Sequence, residues 1–163
     1  MFRLALVVMF VLALVHPSAG LEWRQFGDPD LGFRVSLPVD LFTDRTVKGS
    51  SLHFSDSTGD VVLDLYGAKN AERLPPTTVA DQLALSDRID EVTYRRHGRS
   101  WFVLSGYYAR EGYEPHDLVF YTKFMFSSDR ARFTAFEISY PAAMKDELDH
   151  VVERIEDTFR PLF

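Results

Sequence analysis

The chain has 163 residues, a formal net charge of −6 and no cysteine. The excess of acidic residues argues against nonspecific nucleic-acid binding, because such binding needs lysine and arginine to neutralise phosphates. The lack of cysteine excludes disulfides, thiolate metal sites and lipid attachment at a cysteine.

The first twenty residues have the pattern of an export signal. Arg3 gives a positive start, residues 4–15 form an unbroken apolar run of 12, and residues 17–20 end in small side chains. This order is typical of a secretory signal peptide, whereas a helix that crosses a bilayer takes about 20 apolar residues. We therefore expect residues 1–20 to be removed. Residues 21–163 would then act as a single periplasmic or secreted domain, with no stable membrane anchor after cleavage.

The first half of the mature chain predicts short strands. Four segments show the two-residue alternation of half-buried strands or lie beside turn-forming residues: 21–26, 33–37, 51–54 and 61–66. Longer connections are expected over residues 38–50 and 67–77. Thr78, with Asp81 three residues later, resembles a capping box at the start of a short helix, whose modest apolar side includes Val79, Leu83 and either Leu85 or Ile89.

The second half predicts four long strands and a helix. The strand segments are 91–96, 100–109, 117–126 and 131–140. Apolar residues from Met144 to Phe159 recur at helical spacing and predict an amphipathic C-terminal helix. Two of the strands carry apolar residues on both faces, so both faces must be covered. The predicted fold class is therefore α+β: an α/β/α sandwich with a mostly antiparallel twisted sheet, the C-terminal helix on one face and the shorter helix on the other.

Three short motifs resemble the PsbP-like α/β/α sandwich family. Residues 32–38 (GFRVSLP) resemble its GF-x-hydrophobic-x-x-P opening, and residues 101–106 (WFVLSG) resemble a central strand of its small bacterial periplasmic members. Tyr140-Pro141, followed by a helix to residues 159–161, is similar to its ending. The resemblance spans most of residues 21–163. It implies an antiparallel sheet between helices and accessory or binding roles, and no photosystem-binding or metal-binding residue of the family is carried over.

No catalytic, cofactor or metal constellation is apparent. Ser105 lacks the first glycine of a nucleophile elbow and lies inside a predicted strand. The four histidines beyond residue 20 form neither an H-x-x-x-H nor an H-E-x-x-H pair. We therefore expect an exported accessory protein that works by binding. The alternatives are a hydrolytic enzyme with an unrecognised site and a carrier of a small apolar ligand.

Two charged clusters are the candidate binding residues. The first flanks the turns near residues 98 and 128, which should meet because alternate turns of a meander lie at one end of the sheet. This arginine rim would bind a small anion or an acidic partner and comprises Arg95, Arg96, His97, Arg99, Arg130 and Arg132. Its simpler alternative is a set of charges that prevents edge-to-edge strand pairing.

The second cluster is an acidic stripe on the predicted C-terminal helix. It comprises Asp146, Asp149, Glu153, Glu156 and Asp157. Such a stripe suits a basic protein partner or a loosely held cation. Its simpler alternative is a solvated helix face, which is the usual role of charge runs on helices.

Overall fold

Antiparallel strands make up nearly half of the described chain. The computed structural model describes residues 20–163, so the predicted signal peptide lies outside the described residues except for Gly20. The elements in chain order are β1 (Trp23–Asp28), β2 (Phe33–Pro38), β3 (Asp44–Lys48), β4 (Ser51–Ser55), β5 (Val62–Lys69), α1 (Pro76–Ala84), β6 (Ile89–His97), β7 (Trp101–Tyr108), β8 (Leu118–Phe126), β9 (Arg132–Pro141), a 3₁₀ turn (Ala142–Met144), α2 (Lys145–Thr158) and β10 (Arg160–Pro161). Neither helix in this part of the chain has the length and apolar character that a bilayer crossing requires.

The larger sheet has seven strands in the order β3-β4-β5-β9-β8-β7-β6. Every neighbouring pair in it is antiparallel. Strands β6 to β9 form an up-and-down meander. They correspond to the four long strands predicted from the sequence, and every predicted end lies within two residues of the observed one. The predicted α+β class with a mostly antiparallel sheet is confirmed.

A smaller sheet of three strands, β1-β2-β10, was not predicted as a separate unit. The alternation in the sequence predicts β1 and β2, but β10 has only two residues and carries no periodic signal. The sequence prediction of a connection over residues 38–50 is wrong in part, because β3 lies within it. All five residues of β3 are exposed, so this edge strand lacks the alternation that would identify it.

The larger hydrophobic core joins α2 and the smaller sheet to one face of the larger sheet. The apolar stripe of α2 is buried through Leu148, Val151, Val152 and Ile155, as its helical spacing predicts. Phe159, directly after the helix, is fully buried. Its ring centroid lies 6.1 Å from that of Phe33 on β2 and 5.1 Å from that of Phe136 on β9. Phe159 therefore ties the two sheets together at the end of α2.

A second core lies beneath α1, on the opposite face of the larger sheet from α2. It contains the side chains of β7 and β8 that point to this face. Ala80 of α1 is fully buried there. The rings of Phe102 and Phe124 stack with centroids 4.6 Å apart, and those of Tyr108 and Phe120 stack at 4.5 Å. These pairs fill the space between neighbouring strands on the α1 side.

The start of α1 differs from the sequence prediction. The helix begins at Pro76, two residues before Thr78, and no side chain caps it. Proline suits the first helical position because it has no N–H group to leave unpaired there. Leu85, placed by the sequence on the apolar side of the helix, is 84% exposed, and Ile89 begins β6 instead.

Replacing Phe159 with alanine should cost about 3–5 kcal/mol of unfolding free energy, because it leaves a cavity between the two sheets. Leu162→Ala is the matched control, because Leu162 is 45% exposed only three residues away. We expect the control to change stability by no more than about 0.5 kcal/mol. Urea unfolding followed by circular dichroism measures both variants, and equal stabilities would contradict this role of Phe159.

Candidate functional site

A groove of about 560 Å³ lies between α2 and the meander half of the larger sheet. Helix α2 contacts β2, β8 and β9. Strands β6 and β7 lie beyond it in the sheet, so part of their α2-side surface stays uncovered. The groove therefore has a floor of strand residues and one wall formed by the side of the helix.

The floor of the groove consists of two cross-strand rows. Tyr94 of β6, Ser105 of β7 and Tyr121 of β8 are successive register partners, and Val119 of β8 pairs with Tyr140 of β9. Register partners in a sheet point to the same face, so these side chains form one surface. Tyr94 is 48% exposed, so an aromatic ring stands open at the rim of the groove.

The wall of the groove carries four carboxylates of the acidic stripe. They are Asp146, Asp149, Glu153 and Glu156. Their spacings of three and four residues place them on one side of a helix. The fifth predicted member, Asp157, lies apart and lines a smaller groove with residues of β2 and Arg160.

Two of the four carboxylates already have partners. Glu156 accepts a hydrogen bond from the Tyr121 hydroxyl and one from Lys123 Nζ at 3.0 Å. Asp149 pairs with Lys145 Nζ at 2.6 Å, one helical turn away. Within residues 20–163, Asp146 and Glu153 make no ion pair. The groove therefore presents two uncompensated negative charges.

Two tyrosines of the groove, Tyr121 and Tyr140, are held in the neutral form. Burial, followed by the charge of Asp149 and a hydrogen bond to it, raises the pKa of Tyr140 to about 12. Burial, the hydrogen bond to Glu156 and its charge raise the pKa of Tyr121 in the same direction. A neutral hydroxyl donates to a carboxylate, whereas a phenolate would repel it. Tyr121 and Tyr140 therefore add no negative charge to that of the carboxylates.

The structure assembles the predicted arginine rim only in part. The two turns do meet, since the N–H of Phe126 donates to the carbonyl of Ser100 at 2.7 Å. Arg95 is directed to α1, where it pairs with Asp81. Arg96 lies on the other face, because neighbouring residues of a strand alternate.

The remaining rim residues are exposed: His97, Arg99, Arg130 and Arg132. Only Arg132 is placed against an aromatic group, with its guanidinium 4.9 Å from the centroid of the Phe163 ring. The turns thus converge as predicted, but the side chains of the rim are divided between the two faces of the sheet.

A polar row on the α1 side was not predicted from the sequence. His53 Nδ1 lies 2.8 Å from Asp64 on the neighbouring strand, and Glu137 is the next register partner. Arg88 donates two hydrogen bonds of 2.9 Å to Glu137. These partners are 11 and 49 residues apart in the chain, so no local motif joins them.

Three features bear on catalysis or metal binding in the described part of the chain: the His53–Asp64 pair, Ser105 and the arrangement of potential metal ligands. Asp64 orients the imidazole of His53, yet no hydroxyl within residues 20–163 hydrogen-bonds that ring. The Ser105 hydroxyl donates to the carbonyl of Phe120 at 2.8 Å and supports the sheet. Across the same residues, no group of three or more histidine and carboxylate side chains is arranged to hold a metal ion.

Similarity to known proteins is found at the level of structure. No protein-family model and no curated protein sequence matches the chain. The solution structure of cyanobacterial PsbP from Synechocystis superposes with a TM-score of 0.62 at 13% identity, covering 90% of this chain and 96% of that one. The Ran-binding protein Mog1p of Saccharomyces cerevisiae superposes with a TM-score of 0.56 at 9% identity, covering 88% and 97%. The predicted PsbP-like fold is confirmed, and at these identities the similarity shows the fold alone.

Asp149→Asn should lower the pKa of Tyr140 from about 12 toward, but not to, the ordinary value of 10. Burial is the larger cause and remains in the variant. Because this pKa is higher in the folded state, the contribution of Tyr140 to stability is complete below pH 10 and is lost as the pH rises through 12. Ultraviolet titration of tyrosine ionisation, assigned with Tyr140→Phe, measures the shift. An alkaline titration identical to that of the unmodified protein would contradict this coupling.

Proposed function

We propose that this chain is an exported accessory protein that binds a basic segment of a partner protein in the groove between α2 and the meander. The observation that carries the proposal is the combination of an aromatic floor with two unpaired carboxylates, Asp146 and Glu153. Aromatic faces attract lysine and arginine cations, and carboxylates accept their hydrogen bonds. The groove therefore has the chemistry that recognises a lysine or arginine side chain.

The charge of the wall favours a cationic occupant over an apolar one. A groove of about 560 Å³ falls within the usual size range of ligand sites, about 300–1,000 Å³. An apolar ligand would remove water from Asp146 and Glu153 without replacing its hydrogen bonds, which is unfavourable. A basic side chain compensates the same carboxylates. This argument disfavours the carrier of a small apolar ligand.

The groove suits part of a larger partner. It is open to solvent on one side and reaches Tyr94 of β6, one of the two edge strands of the sheet. An open groove of this volume accommodates one or two side chains of a segment whose remainder stays outside. Mog1p, which shares the fold, is a Ran-binding protein, so this architecture carries protein recognition in at least one structural neighbour.

Binding of a basic segment should depend on Asp146 and Glu153. The double variant Asp146→Asn, Glu153→Gln keeps the size of both side chains and removes two charges. Each partly exposed ion pair contributes about 0.5–1 kcal/mol, so affinity should fall about 5–30-fold. Fluorescence anisotropy with a labelled peptide of alternating glycine and arginine, at low ionic strength, measures the change.

The matched control is Asp44→Asn, Glu111→Gln, because both residues are exposed and lie outside the groove. This control alters the net charge by the same amount, so it accounts for nonspecific attraction. Affinity in the control should stay within about twofold of the unmodified protein. Equal losses in the two double variants, or no binding by the unmodified protein, would refute the proposal.

Export is the second part of the proposed function, and it rests on the pattern of residues 1–20. The protein recovered from the cell envelope or medium should have the intact mass of a chain that begins at Leu21. Leu12→Arg interrupts the apolar run, so it should keep the chain inside the cell at its full mass. Recovery of exported protein that still carries residues 1–20 would contradict the cleavage prediction.

A further inference from the structure

A second concave region surrounds the turn between β8 and β9. Two cavities of about 530 and 190 Å³ share three lining residues, Lys69, Arg132 and Phe163. Ser127 and Ser128 line the larger of the two. We call this region, defined by these five residues, the Lys69 basin. It is separate from the groove beside α2, with which it has no lining residue in common.

Two like charges stand side by side in the basin. Lys69 of β5 and Arg132 of β9 are register partners, and both side chains are exposed. Like charges directly opposite each other in a sheet are destabilising. Neither residue makes an ion pair within residues 20–163. The fold thus maintains an unfavourable pair of cations that an anion would compensate.

The surrounding backbone holds this pair in place. Asn70 is 7% exposed, and its N–H donates to the carbonyl of Ala131 at 2.8 Å. Its side-chain amide donates to the carbonyl of Leu74 and accepts from the N–H of the same residue. These bonds fasten the segment after Lys69 to the β8–β9 turn. The backbone positions that carry Lys69 and Arg132 are therefore set before any ligand arrives, so no rearrangement of the strands is needed for binding.

The carboxylate of Asp129, which lines the larger cavity, is already hydrogen-bonded within the β8–β9 turn. Asp129 Oδ1 accepts hydrogen bonds from the Ser127 hydroxyl at 2.7 Å and from the N–H of Ala131 at 3.1 Å. Those bonds, with the Ala131 bond the larger cause and the charge of Arg73 a smaller one, lower the pKa of Asp129. Asp30 lines only the smaller cavity. Among the side chains that line the larger cavity there is one carboxylate, already hydrogen-bonded, and there are two cations.

One wall of the basin is apolar. The ring of Phe163 is half-buried and lies over Gly32, where an added Cβ would meet it at 3.1 Å. The N–H of Leu162 donates to the carbonyl of Gly32 at 2.8 Å, which fixes this part of the chain against β2. The guanidinium of Arg132 faces the ring. An anion bound between Lys69 and Arg132 would therefore lie beside the ring of Phe163.

We propose that the Lys69 basin binds a small organic anion, a phosphate or carboxylate that carries an apolar group. The oxyanion lies between Lys69 and Arg132, and the apolar group packs on Phe163. This site goes beyond the proposed function, since it takes a ligand of opposite charge on a different surface. It also differs from the predicted arginine rim, with which it shares only Arg132.

Isothermal titration of the purified protein with phenyl phosphate, benzoate and inorganic phosphate tests the site. The double variant Lys69→Ala, Arg132→Ala should bind phenyl phosphate or benzoate at least tenfold more weakly than the unmodified protein. The matched control is Arg96→Ala, Arg99→Ala, which removes the same charge from the rim and should bind as the unmodified protein does. Phenyl phosphate against benzoate distinguishes a phosphate from a carboxylate ligand.

Thermal unfolding provides the second measurement, because the melting temperature reports both the stability of the fold and the binding of a probe. Whichever of phenyl phosphate and benzoate binds should raise the melting temperature of the unmodified protein and of the rim variant, but not that of the Lys69→Ala, Arg132→Ala variant. Removing the like-charge pair should leave the unliganded melting temperature unchanged or higher. The proposal is overturned if the rim variant loses binding instead, if no probe binds saturably, or if inorganic phosphate binds as tightly as phenyl phosphate.

Discussion

The rest of the structure depends on the antiparallel register of the meander from β6 to β9. Strands β7, β8 and β9 carry buried apolar side chains on both faces, so each face needs its own cover. Helix α1 supplies the cover over β7 and β8 on one side, and α2 with the smaller sheet supplies it on the other. Because α2 lies over β8 and β9, the neighbouring strands β7 and β6 extend beyond the helix. The groove is thus a consequence of a cover, made of α2 and the smaller sheet, that leaves the β6 and β7 side of this face open.

Acidic and basic side chains are concentrated in different regions of the surface, which the net charge of −6 does not show. The α2 wall of the groove is acidic, whereas the Lys69 basin, on the same sheet face, is basic. The two lie apart because the apolar stripe of α2 and β2 fills the sheet surface between them. Opposite charges that were free to meet would form a salt bridge and compensate each other. Their separation leaves each available to a ligand of opposite sign.

The sequence predicts the elements that have apolar periodicity. It does not predict an exposed strand, or contacts between residues that are distant in the chain. The meander strands and the buried stripe of α2 follow from apolar spacing, and the carboxylates at 146, 149, 153 and 156 follow from the same helical period. Strand β3 has five exposed residues and no alternation, so no pattern reveals it. Lys69 and Arg132 are 63 positions apart in number and become neighbours only through the β5–β9 register. The arginine rim fails in part for a local reason, since Arg95 and Arg96 must face opposite sides.

The position of α2 over the sheet is fixed by polar contacts as well as by its apolar stripe. Glu156 receives hydrogen bonds from both Tyr121 and Lys123 of β8, so the helix is fastened to the groove floor near its C-terminal end. Lys123 also lies 5.8 Å from the centroid of the Trp101 ring, which holds the ammonium from the other side. These contacts fix the C-terminal half of α2 relative to β8, so binding in the groove requires no movement of the helix there. Glu156 sets the geometry, and the unpaired Asp146 and Glu153 carry the charge on which the proposed binding depends.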